Sequence, residues 1–162
     1  MKLRLDFVTN SSSSSFILGF KDYDDGVSKI QKLAATEDPM AVATLLRDFE
    51  ETSPVTPEQL LQEVDNDFYP PYSVLKREGK AWFSKHPEYQ YPKDVDAWWD
   101  SEEYRLLLQS EEKKEKDRLL KKVSQYPYLV RLEYEDHTDV GCELEHEILP
   151  DADFTVEVVS HH

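Results

Sequence analysis

Apolar residues recur with period two near both ends of this chain and with helical period between them, which limits the fold to one whose terminal strands share a sheet. Leu3, Leu5 and Phe7 alternate with Lys2, Arg4 and Asp6, the pattern of a half-buried strand, and Phe16 to Phe20 reads as a second short strand. After Pro127, the residues Tyr128, Val130, Leu132 and Tyr134 alternate with Leu129, Arg131, Glu133 and Glu135, and Phe154, Val156 and Val158 line one side of a last segment. Each apolar face is too small to be stable alone. The expected class is therefore α+β: a mainly antiparallel sheet from the N- and C-terminal strands, with a central helical segment over about 25–125 packed on one face. A length of 162 residues suits a single domain spanning 1–162.

Within the middle, Asp38-Pro39 supplies an N-cap and a proline at the first helical position, and Ala41, Val42, Leu45, Leu46 and Phe49 follow at helical spacing. Thr56-Pro57-Glu58-Gln59 repeats the device with a capping box. A weaker helix is expected over Val27 to Ala35, and another opens near Asp100 and Glu103 and runs toward Val123. Its middle, Gln109 to Arg118, is wholly polar, which fits either a solvated helix or a break between two helices. Past Glu135, Asp136 to Gly141 reads as a connection leading to a return strand, with Cys142, Leu144, His146 and Ile148 on its apolar side.

Charge narrows the partners. Thirty-four acidic residues against 19 basic ones give a net charge of −15, which repels phosphate backbones and anionic lipid. Nucleic acid is not an expected partner; another protein is, and a basic one suits the charge. Cys142 is the only cysteine, so an internal disulfide is excluded and a reducing cytoplasm is the expected compartment. The longest apolar stretch, Phe16 to Phe20, is far short of a membrane span or a signal-peptide core.

Two segments carry a family likeness. The opening LDFVTNSSSSSFILGF resembles the start of a recurrent group of small uncharacterised bacterial proteins that begin with an FVTNSSSSSF-type string. The stretch DHTDVGCELEH, with a terminal histidine, is similar to their closing Asp-x-x-x-x-Gly-x-x-Leu-Glu-His element, although members often carry Gly where this chain has Glu147. The likeness covers roughly the first twenty and last thirty residues. It implies a shared fold and a shared site, and it supplies no activity.

Chemistry-bearing side chains crowd the C-terminal region, where four of the five histidines fall in the last 26 residues and where the acidic stretch Glu133 to Glu157 holds no Lys or Arg. Asp136, Asp139, Glu143, Glu145, His146 and His161 are of the types that hold a divalent metal such as Zn or Mn. On a strand, Glu145 and His146 point to opposite faces; on a helical turn, Glu143, His146 and Glu147 share one. The alternative is a core histidine beside a solvated acidic face, with His161-His162 the remnant of a tag. Asn10, Ser11, Ser12, Ser13, Ser14 and Ser15 form a hydroxyl-rich run that reads as a loop. It could cradle an anion, or it could be only a structural turn.

Aromatic residues crowd the centre of the chain from Phe68 to Tyr104 and read first as a local core. Trp98 and Trp99 cannot both face inward on one helix stripe, so one is expected at the surface as a partner contact. Two function classes follow: a non-catalytic protein-interaction module, or a metal-dependent hydrolase or metal-binding protein using the C-terminal acids and histidines.

Overall fold

The computed structural model describes residues 13–161, so the strand expected over 2–8, and with it Asn10, Ser11 and Ser12, lies outside the described residues. The elements run β1 (Ser13–Phe20), α1 (Tyr23–Leu33), α2 (Pro39–Glu51), α3 (Pro57–Asp67), α4 (Tyr72–Lys85), α5 (Val95–Trp99), α6 (Glu102–Val123) and β2 (Tyr128–Glu135). They close with α7 (Asp139–Glu143), a π-helical turn (Leu144–Ile148), α8 (Leu149–Asp151) and β3 (Thr155–His161). The fold is α+β, with a three-stranded sheet in the order β2-β1-β3. Both pairings are antiparallel: Phe16 faces Leu132 on one side and Val158 on the other, and a bulge shifts the β3 register between Ile17 and Leu18. The chain divides into two compact units: the sheet unit holds the described residues up to Pro57 and from Lys122 onward, and the helical unit is Glu58–Lys121.

In the sheet unit, Phe16, Leu18 and Phe20 share one face with Val130, Leu132 and Tyr134. Ile30 of α1, with Ala41, Val42, Leu45 and Phe49 of α2, packs into the same core, and Phe49 meets Phe20 edge-on at 5.3 Å between ring centroids. Each such large side chain contributes about 1.5–3 kcal/mol by leaving water. The expected capping is present: the Asp38 side chain accepts hydrogen bonds from the Met40 and Ala41 N–H groups at 2.9 and 3.0 Å, with Pro39 at the first helical position. Helix α1 starts at Tyr23 rather than Val27, because Asp22 accepts from the Asp25 N–H at 2.8 Å and begins the helix a turn earlier.

Two sequence readings of this unit are corrected. Ser13, Ser14 and Ser15 belong to β1 and not to a loop, since β2 and β3 pair with them from both sides and their ladders outweigh the local turn preference of serine. Residues 142–148 do not form a return strand. The Thr138 side chain caps a helix there by accepting from the Gly141 N–H at 2.9 Å, and the Cys142 N–H reaches the Thr138 carbonyl at 2.8 Å. The buried set is Gly141, Leu144, Glu145, Ile148 and Leu149, which has the spacing of a helix face and not of a strand. The turn widens to π geometry as the Leu149 N–H bonds the Leu144 carbonyl, just before Pro150, which has no N–H to continue an ordinary helical ladder.

In the helical unit, α6 is a single 22-residue helix through its polar middle. Pairs such as Lys114 with Glu111, Lys116 with Glu112 and Arg118 with Glu115 lie along its surface. Its first turn is capped by Ser101, whose Oγ accepts from the Tyr104 N–H at 3.1 Å, in place of the expected Asp100. Helix α4 contributes Leu75 and Trp82 to a small core with Trp98, around which Phe83, Val95, Ala97, Tyr104 and Leu107 pack. Gly79 allows this closeness, because a Cβ there would stand 3.0 Å from Cζ3 of Trp98. Among the described residues, no helix is long and apolar enough to cross a membrane.

Candidate functional site

The end of the serine run and the C-terminal helical stretch meet inside the sheet unit. Ser14, on the core face of β1, donates its hydroxyl hydrogen to Oε1 of Glu145 at 2.7 Å, and both residues are fully buried. The other carboxylate oxygen of Glu145, Oε2, lies 3.7 Å from Nε2 of His146. Burying a carboxylate costs several kcal/mol unless hydrogen bonds compensate, so this contact fixes where the π-helical turn sits on the sheet. Gly141 completes the element, since a Cβ there would overlap the Glu135 carbonyl oxygen at the end of β2. Leu144, next to Glu145, is fully buried in the core. In this helical stretch, Gly141 thus provides the close approach, Leu144 the anchor and Glu145 the buried acceptor.

Ser14 donates directly to Oε1 of Glu145, and the imidazole of His146 stands beside the other carboxylate oxygen. Ser15, on the opposite face of β1, accepts a hydrogen bond from Nη2 of Arg131 at 3.0 Å. Within the expected anion run, Ser14 therefore meets a carboxylate and Ser15 a guanidinium.

The remaining C-terminal candidates spread outward. Glu143, His146 and Glu147 fall on the outer side of the helical stretch, the arrangement anticipated for a helical turn, while Glu145 alone points in. Asp136 lies in the turn after β2, Asp139 opens α7, and His161 ends β3 opposite Ser13. Among the described residues, no three His, Cys, Asp or Glu side chains come together as a metal-holding group. Desolvation, together with the neighbouring carboxylates of Asp38 and Glu147, raises the Glu143 carboxyl above its ordinary range, against a lowering hydrogen bond from the Asp38 backbone. Tyr134 hydrogen-bonds Oδ2 of Asp48 at 3.0 Å, and burial first, then the Asp48 charge, raises its phenol far above the usual value.

The helical unit holds the partner-surface candidates, and the tryptophan pair divides as expected: Trp98 is 6% exposed and Trp99 is 50% exposed. Trp98 meets Tyr104 edge-on at 5.0 Å between centroids. Tyr69, Tyr72 and Tyr91 are also largely exposed, so the central aromatic run is part core and part surface. Trp82 stacks with His86 at 4.3 Å, and its buried indole N–H has no hydrogen-bond partner among the described residues. His86 stands 3.4 Å from Glu88 and 3.8 Å from Glu103. Sequence reasoning did not single out His86; its place four residues after Trp82, one helical turn on, was the available signal.

No family model, no curated protein and no solved structure matches the chain.

Proposed function

We propose that this protein is a non-catalytic interaction module whose helical unit binds a basic protein. The observation that carries the reading is Trp99: a half-exposed indole at the end of α5, with Asp96, Asp100, Glu102 and Glu103 close to it in the chain. An exposed indole beside carboxylates suits a Lys or Arg side chain, because the ring face attracts the cation and the acids neutralise it. The net charge of −15 adds a long-range attraction for a basic partner that weakens with salt. The exposed Tyr69, Tyr72 and Tyr91 supply further amphipathic contact area of the kind enriched at interfaces.

Calorimetric titration with an (Arg-Gly) repeat peptide tests the reading. The parent protein is expected to bind it with an affinity that falls as salt rises. Trp99→Ala is expected to weaken binding by roughly 2- to 5-fold, as loss of a cation–π contact of about 0.5–1 kcal/mol implies. A parent that does not bind, or a variant that binds equally tightly, would overturn it.

A further inference from the structure

Within the helical unit, a cleft of about 130 Å³ is lined by Glu78, Ala81, Trp82, Lys85, His86, Trp98, Glu103 and Leu107. Ala81, Trp82 and Lys85 follow Glu78 on α4 at three- and four-residue steps, with His86 capping the end of the helix, so one helix face supplies most of the lining, and Glu103 with Leu107 supplies a turn of α6. We propose that this cleft takes the guanidinium head of an arginine side chain. The inference rests on the reading that the partner is basic and names the group it presents. The volume is several times what one water needs, enough for a small planar head group.

The lining chemistry selects a cation over an anion. Two carboxylates, Glu78 and Glu103, stand against the single ammonium of Lys85 in that lining. Glu78 already contacts Nε of Arg77 at 2.7 Å, whereas Glu103 is 60% exposed and, among the described residues, stands near His86 alone, at 3.8 Å. Glu103 is therefore the main acceptor for an incoming guanidinium, and a carboxylate can accept its two parallel N–H groups. The buried rings of Trp82 and Trp98, with Leu107 and Ala81, give apolar walls for the methylene stem, and the indoles attract a weakly hydrated cation. His86 and Tyr89 already stack on Trp82, at 4.3 and 5.4 Å between centroids, so the Glu103 carboxylate and the remaining indole surface are what meet the head group.

The test follows the three indole N–H signals of the full chain by nuclear magnetic resonance, during titration with N-acetylarginine methylamide. The Trp82 and Trp98 signals are expected to shift first and furthest, ahead of the solvent-facing Trp99 signal. Glu103→Gln is expected to weaken the response at least fivefold, with Glu78→Gln as a second, milder variant. The citrulline counterpart, which has the same shape without the charge, is expected to leave all three signals in place. Still Trp82 and Trp98 signals, a response that both glutamine variants leave unchanged, or an equal response to citrulline would each overturn the assignment. If the (Arg-Gly) peptide still binds in a Trp99-dependent way while Trp82 and Trp98 stay still, the cleft assignment fails and the interaction reading stands.

Discussion

In the sheet unit, the largest fully buried side chains include Phe16, Phe20, Phe49 and Phe154, and the buried carboxylate of Glu145 is held by Ser14. In the helical unit, the buried core cluster is Leu75, Trp82 and Trp98, while Tyr69, Tyr72, Tyr91 and Trp99 remain at the surface. One region encloses those phenylalanines, with Tyr23 of α1 partly exposed, and adds a buried hydrogen bond between Ser14 and Glu145; the other leaves more of its rings outside, beside acids. Polar groups inside a core fix position only when each has a partner, whereas rings outside a core contribute most when something covers them. The difference is what underlies the proposed division of the molecule into a scaffold and a contact surface.

Substitutions can break or sharpen that division. Trp98→Ala removes a large ring from a small core and is expected to cost about 3–5 kcal/mol, read by hydrogen exchange as deprotection centred on α4 and α5. Unchanged protection there would show that the tryptophan is not central to that unit. Glu145→Ala is expected to cost about 3 kcal/mol, because it leaves the Ser14 hydroxyl unpartnered in the core. Glu145→Gln, whose amide oxygen still accepts from Ser14, is expected to lose far less. Equal denaturation midpoints for the alanine and glutamine variants would mean that the Ser14 contact does not hold the turn.

Smaller effects concern the rim of the sheet unit. Tyr134→Phe deletes the hydrogen bond to Asp48 and is expected to cost about 1 kcal/mol in chemical denaturation. Glu143→Gln tests the acidic cluster through pH. A carboxyl whose folded pKa is raised binds its proton more tightly in the folded state, so its unfavourable contribution develops as pH rises through the interval from the unfolded to the raised folded value. The glutamine variant is therefore expected to melt above the parent at neutral pH, and the gap should close as pH falls through that interval. A gap that widens on acidification would contradict the raised value.

The α+β class was legible because the short apolar run at 16–20 and the alternation at 128–134 belong to strands that the core does bury. Asp38-Pro39 and Thr56-Pro57 marked the starts of α2 and α3, since capping is local and needs no tertiary knowledge. The C-terminal element was misread because two patterns overlap there. Cys142, Leu144, His146 and Ile148 alternate, while Gly141, Leu144, Glu145, Ile148 and Leu149 have helical spacing, and treating Glu145 as a surface residue favoured the strand. Its hydroxyl partner lies 131 positions away, so nothing local marked that glutamate as buried. Helix α4 was hidden for a similar reason: its inward face is made of Leu75, Gly79 and Trp82, too few aliphatic residues to stand out.

The most direct test of the division into scaffold and contact surface is a backbone amide map of the full chain, titrated with the (Arg-Gly) peptide. The account predicts shifts confined to residues 58–121 and strongest around Trp98, Trp99, Glu102 and Glu103, with the β1 and β2 amides unmoved. Shifts centred on 13–20 and 128–135, or none anywhere, would contradict it.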